Sequence, residues 1–347
     1  MNRHLGERVT IGVPTRNRPS YLGTLLSSLL SQSFSNWDLI LVNDGDENLE
    51  GFHFLEGIFN IIEYKGHGLK IIPGPQAGPA QAHNVILANS QNELIMRVDD
   101  DVYLNPDYIE ILYEFMANRE NVGAVGGRLL NIHHLKTGFS HPLGEHKEWN
   151  GRIVFKDSHF VPYADHFLLK EEPYEADHLY CHFLYQKRVA EEVGGFPDLY
   201  SQMGRREETD TTLRMRMAGY RLFVLPQATA WHIHSFFGGT RDGIDKSNYQ
   251  KYLQMEEDDV RLFEARMWGW IREGLREKVK IVIPDEFEKL RQLRYQLKRL
   301  ITRDLDFKMN LKIINLKKEC LVPLNDQEVI YLLLSKVLTL RERRDCW

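Results

Sequence analysis

Short apolar, β-rich runs alternate with amphipathic ones along the first third of the chain, and this alternation most constrains the fold. Residues 9–14, 37–42 and 93–98 read as buried strands, each followed by polar turn residues. Residues 58–64 and 70–72 read as further strands, the latter broken by Pro73-Gly74-Pro75. Between them, residues 21–31 place Leu22, Leu25, Leu26, Leu29 and Leu30 on one helical face. A second helix is expected from Gly78-Pro79 through Ala82, Val85 and Ile86. A third spans 108–116, with Pro106 at its first position and Asn105 as its cap. Strand and helix at such short intervals predict an α/β fold with a doubly wound, largely parallel sheet. In such sheets ligands bind beyond the carboxyl ends of the strands.

The strand at 93–98 delivers Asp99, Asp100 and Asp101 to that edge. Three adjacent carboxylates repel one another unless a cation compensates them, so the triplet reads as a divalent metal site rather than a solvated acidic turn. Asp44, at the end of the second strand, and Pro14 to Arg18, at the end of the first, would share the same edge.

At 347 residues the chain calls for one large α/β domain with an appendage, or for two domains. Its formal charge of -5 offers no global attraction to nucleic acid or an anionic membrane. The three cysteines, Cys181, Cys320 and Cys346, are too widely spaced for a disulfide framework or a zinc cluster, which fits a reducing, cytoplasmic setting. Residues 1–9 carry no apolar stretch and read as no signal peptide, and no run approaches the ~18 apolar residues of a membrane span.

Residues 120–240 are Gly-rich and aromatic, with short strands near 123–130 and 222–225. They hold ten of the fourteen histidines, most of them ordinary hydrogen-bonding groups. Beyond about residue 245 charged helices take over, with Phe287, Leu290, Leu293, Leu297 and Leu300 at helical spacing and another helical run at 330–340. These helices suit packing first, and otherwise a homodimer surface. Their Arg291, Arg294, Lys298, Arg299, Arg303, Arg341, Arg343 and Arg344 could touch a polyanionic acceptor.

The series Val9-Thr10-Ile11-Gly12-Val13-Pro14-Thr15-Arg16-Asn17-Arg18, then Asn43-Asp44-Gly45, the stretch 78–84, and the acidic triplet resembles family 2 glycosyltransferases with the GT-A fold. Further matches follow in order: Val193-Gly194-Gly195-Phe196-Pro197, Arg206-Glu207-Glu208-Thr209-Asp210-Thr211, and Pro226-Gln227-Ala228-Thr229-Ala230-Trp231-His232. The resemblance covers roughly residues 8–240. It implies a GT-A domain over 1–240, with a nucleotide-binding half to 118 and an acceptor half from 119, and a helical extension over 241–347. Pro14, Thr15, Arg16, Arg18, Gly78 and Asn84 would then line the nucleotide-sugar pocket, with Asp44 on the base, usually a pyrimidine. Asp99 and Asp100 would face the ribose or donor sugar, while Asp101 and His232 would hold Mn²⁺ or Mg²⁺ on the diphosphate.

Glu207-Glu208 resembles the family's paired acidic motif, whose second member removes the acceptor proton; Glu208 is therefore favoured as base over Glu207. The acids also suit a helix amino terminus. His83 stands where relatives often carry arginine, which weakens the expected phosphate contact there. The resemblance implies an inverting, metal-dependent transfer from a nucleotide-diphosphate sugar, UDP-sugar favoured, to a hydroxyl of a glycan, lipid-linked or other acceptor. A sugar nucleotidyltransferase is the enzymatic alternative, disfavoured because residues 10–20 contain only Gly12. The other alternative is an inactive nucleotide-sugar-binding module.

Overall fold

The computed structural model describes residues 6–131, 146–156, 159–163, 171–233, 235, 238–244 and 247–282. The helices expected at 287–300 and 330–340, with the dimer surface and polyanion contact assigned to them, lie outside the described residues.

Strands β1 (Val9–Thr15), β2 (Trp37–Asn43), β3 (Leu69–Pro73) and β4 (Leu94–Arg97) run parallel in the spatial order β3-β2-β1-β4. Helices α1 (Pro19–Leu30), α2 (His53–Tyr64) and α3 (Pro79–Asn89) connect them. The chain steps outward from β1 to β3 and then returns to the other side of β1. The reversal of winding therefore falls between β1 and β4, where a crevice opens beyond the strand ends.

The chain continues through β5 (Val102–Leu104), α4 (Tyr108–Ala117), β6 (Val122–Asn131), β7 (Arg152–Lys156), β8 (His159–Tyr163), β9 (Tyr174–Ala176) and β10 (Phe183–Gln186). It then forms α5 (Lys187–Glu192), α6 (Glu207–Met217), β11 (Arg221–His232), α7 (Tyr249–Arg272), α8 (Leu275–Lys278) and β12 (Ile281–Val282). The main sheet extends past β4 as β10-β6-β11-β5, with β10 antiparallel to both its neighbours and β9 pairing β11. Strands β12, β7 and β8 make a second, small sheet.

Alternation along the strands divides the core. Val9, Ile11 and Val13 of β1, with Leu94 and Met96 of β4, face α1, α2 and α4. Ile95 of β4, with Phe183 and Tyr185 of β10, faces α3 and α5. Gly12 is required on that second face, since a Cβ there would lie 2.5 Å from Ile86 of α3. A third core joins Phe155 and Phe160 of the β7–β8 hairpin to Leu213 of α6 and to Phe263, Met267 and Trp270 of α7.

The structure corrects three readings. Residues 58–64 are helix rather than strand: Leu55, Phe59 and Ile62 recur at helical spacing on the buried face of α2, and Ile61 is exposed. Helix α4 starts after Asp107, not at Pro106, and the Asn105 side chain accepts from Trp231 Nε1 at 2.9 Å instead of capping. The segment near 222–225 is part of the twelve-residue β11. Glu207 and Glu208 open α6, at the helix amino terminus that acids suit. Among the described residues no helix is long and apolar enough to cross a membrane.

Candidate functional site

The crevice is a cleft of about 630 Å³ at the carboxyl ends of β1, β2 and β4. Pro14, Thr15, Arg16, Arg18, Asp44, Gly78, Asp99, Asp100, Asp101, Glu207, Glu208 and His232 all line it. Asn84 does not: its amide holds the Phe196 backbone, accepting from the N–H and donating to the carbonyl, both at 2.8 Å. His83 is likewise buried in α3 against the Phe196 ring, with neither ring nitrogen hydrogen-bonded among the described residues, and burial pushes its pKa down.

The three aspartates take different surroundings. Asp100 turns inward, accepting from Thr15 Oγ1 at 2.7 Å and from Arg18 Nη1 at 2.9 Å. Burial pushes its carboxyl up to about 6 against the pull of Arg18. Asp101 accepts from Arg18 Nη1 at 3.2 Å and from the Ser235 N–H at 3.2 Å, with His232 Nε2 3.4 Å away. Burial opposes its charge, but His232, Arg18 and Ser235 together hold it well below the usual carboxylate range. In turn Asp101 lifts the His232 pKa against burial. Asp99 is the most open of the three, with a 29% exposed side chain, and pairs with Arg97 at 3.2 Å.

Strand pairing brings His232 here: it lies opposite Val102 in the β11–β5 ladder, and the next N–H, of Ile233, donates to the Asp101 carbonyl at 2.9 Å. Asp44 sits at the far end of the edge, its Oδ1 accepting from the Gln76 N–H at 2.5 Å, and burial raises its pKa despite that bond. Arg16 reaches Asp242 at 3.4 Å.

On the opposite wall Glu207 and Glu208 begin α6, where the helix dipole favours negative charge. Glu207 is buried and ion-paired with Arg97, which also donates to the Cys181 carbonyl at 2.9 Å. No ion pair engages Glu208 among the described residues. Burial raises its pKa, and Arg97 and Arg206 only partly offset this.

Asp101 and His232 stand close to the spacing of roughly 3 Å expected of neighbouring ligands on one divalent ion. The carboxylate and imidazole donor pair therefore fits such a cation. Asp99, Cys181 and His182 could also each offer one ligand atom, all within 4.8 Å of one another. In that set His182 Nδ1 accepts from the Asp99 N–H at 3.3 Å.

Sequence reasoning missed Arg97, Arg206 and Asp259. Arg97 had a signal, a lone charge ending an otherwise apolar strand. Asp259 had none, since it is one acid among several in α7. The cleft unites both carboxylate clusters with the nucleotide edge expected of a sugar transferase.

Residues 10–192, more than half of the chain, match the model of Glycosyl transferase family 2. The chain belongs to this family. The glycosyltransferase is 29% identical over 120 residues to Glycosyltransferase GlyA of Streptococcus pneumoniae, covering 35% of this chain and 16% of that protein. It is 24% identical over 268 residues to Galactofuranosyltransferase GlfT2 of Mycolicibacterium smegmatis, covering 71% and 39% respectively. The glycosyltransferase thus spans well under half the length of either relative. In fold it is similar to GalNAc-T7, solved with UDP, GalNAc and Mn²⁺, with a TM-score of 0.52, 14% identity, and coverage of 66% of this chain and 44% of that one. The fold is GT-A, with a curled, mostly parallel central sheet.

Proposed function

We propose that this glycosyltransferase moves a sugar, with inversion, from a nucleotide-diphosphate sugar to an acceptor hydroxyl. UDP is the favoured nucleotide. One observation carries the reading: Asp44, the Asp99–Asp101 edge, His232 and Glu208 line a single cleft. Asp44 would accept from the base, and Pro14, Thr15, Arg16 and Gly78 would enclose the nucleotide. Arg18 acts from behind, holding Asp100 and orienting Asp101. Asp101 and His232 would hold a divalent cation, Mn²⁺ favoured over Mg²⁺ by the imidazole nitrogen. When bound, such an ion offsets the charge of the diphosphate and stabilises it as a leaving group.

Glu208 takes the proton of the acceptor hydroxyl as its oxygen attacks the anomeric carbon from the face opposite the diphosphate. The new carbon–oxygen bond forms as the bond to the diphosphate breaks, and one displacement inverts the centre. The test is thermal stabilisation across nucleotide diphosphates and nucleotide sugars, with and without Mn²⁺. UDP and its sugars should stabilise only with the metal present, and Asp101→Ala should lose that dependence. Equal stabilisation without metal, or none by any nucleotide sugar, would overturn the reading.

A further inference from the structure

On the acceptor side of the cleft, Arg206 is unfavourable twice over in the protein alone. Its backbone adopts a φ of 84°, the left-handed region open to glycine and costly for a residue with a Cβ. Its side chain lines the cleft, yet no hydrogen bond or ion pair engages the guanidinium among the described residues. Burial and the adjacent Arg205 both disfavour its charge.

Neighbouring cations differ. Arg97 is taken by Glu207 and Asp99, Arg18 by Asp100 and Asp101, and Arg205 by Glu256 at 2.9 Å. Glu208 lies on the same wall but beyond ion-pair distance from Arg206.

The loop presenting Arg206 is also built to hold it. The Asp259 carboxylate of α7, itself buried, accepts from the Ser201 N–H at 2.6 Å, the Ser201 hydroxyl at 2.9 Å and the Arg205 N–H at 3.0 Å. Gly204 packs so closely on Pro79 that a Cβ would overlap that ring. A preorganised, unengaged guanidinium beside the catalytic wall is the arrangement that recognises a planar oxyanion through two parallel hydrogen bonds.

We propose that Arg206 forms an anion subsite that takes a carboxylate or phosphate carried by the acceptor near its reacting hydroxyl. This rests on the acceptor-side reading of Glu208 and adds a substrate class to it: acidic acceptors.

The probes are glucose, glucuronate and glucose 6-phosphate, titrated against the enzyme saturated with UDP and Mn²⁺. At least one of the two anions should bind roughly tenfold or more tighter than glucose, consistent with a charge-assisted hydrogen bond. Arg206→Gln should abolish the difference while keeping the wild-type response to UDP, which also reports that the variant is folded. Arg206→Lys should restore only part of it, because an ammonium lacks the fork. The tighter of the two anions names the group. Equal binding of glucose and both anions by the wild type, or an anion preference that survives Arg206→Gln, would sink the proposal. Absence of any UDP response in the wild type would instead sink the donor reading itself.

Discussion

Arg97 treats the two adjacent glutamates of α6 differently. Its guanidinium ion-pairs with Glu207 and leaves Glu208 facing the cleft with no ion-pair partner among the described residues. Glu208→Gln should therefore lower transfer by roughly 10²- to 10⁴-fold while the thermal response to UDP and Mn²⁺ persists. Glu207→Ala should act mainly on the fold, since it strands Arg97 in a buried site; a loss of about 3–5 kcal/mol is expected in denaturant melts.

The raised Glu208 pKa adds a sign that can be checked. A carboxyl whose folded pKa lies above its ordinary value of 4.5 favours the folded state below that value, and this stability is lost as pH rises through the folded pKa. Glu208→Gln should accordingly raise the melting temperature at neutral pH, with the gain shrinking as pH falls through the folded pKa and absent below about 4.5. The acid limb of kcat/KM should lie above pH 4.5 as well. A variant that melts at the wild-type temperature at every pH would show that the carboxylate is not strained where it sits.

At the level of elements, the site depends on how α7 grips α6 and the loop before it. Asp210 of α6 accepts from the Tyr200 hydroxyl at 3.0 Å, from Arg214 at 2.8 Å and from Arg266 of α7. Asp259 holds the loop 201–205 from the same helix. Asp259→Ala should free two backbone donors, relax the acceptor wall, and cut kcat on the order of 10²-fold through misplacement of Glu208. The UDP response should stay intact, and a parallel loss of UDP binding would show that the whole cleft has collapsed instead.

The same elements show what the chain made legible. Strands β1, β2 and β4 and helices α1 and α3 were readable because buried strands are apolar throughout and amphipathic helices repeat at three and four residues. Residues 58–64 were misread because a window opening at Ile58 cuts off Leu55, the residue that reveals the helical period with Phe59 and Ile62. Asn84 and His83 fitted the motif by position, yet the helix turns both away from the cleft. Pairings such as Asp259 with residue 201 span 58 positions and leave no local trace.

Across the whole molecule, the third core carries the link between chemistry and stability. Tyr200 and Leu213 meet Phe263, Met267 and Trp270 of α7, so residues beyond 240 complete the packing of α6, the helix that opens with Glu207 and Glu208. Phe263 is fully buried. Phe263→Ala should cost about 3–5 kcal/mol through lost burial and the cavity left behind. If the third core is continuous with the sheet, this loss reaches the nucleotide edge as well as the acceptor wall. Tryptophan fluorescence and far-ultraviolet circular dichroism should then report one shared transition at lower denaturant, in the variant as in the wild type. Two separated transitions, with the UDP response surviving the first, would show instead that α6 and α7 melt as a unit of their own, leaving the sheet of β1 to β4 to stand alone.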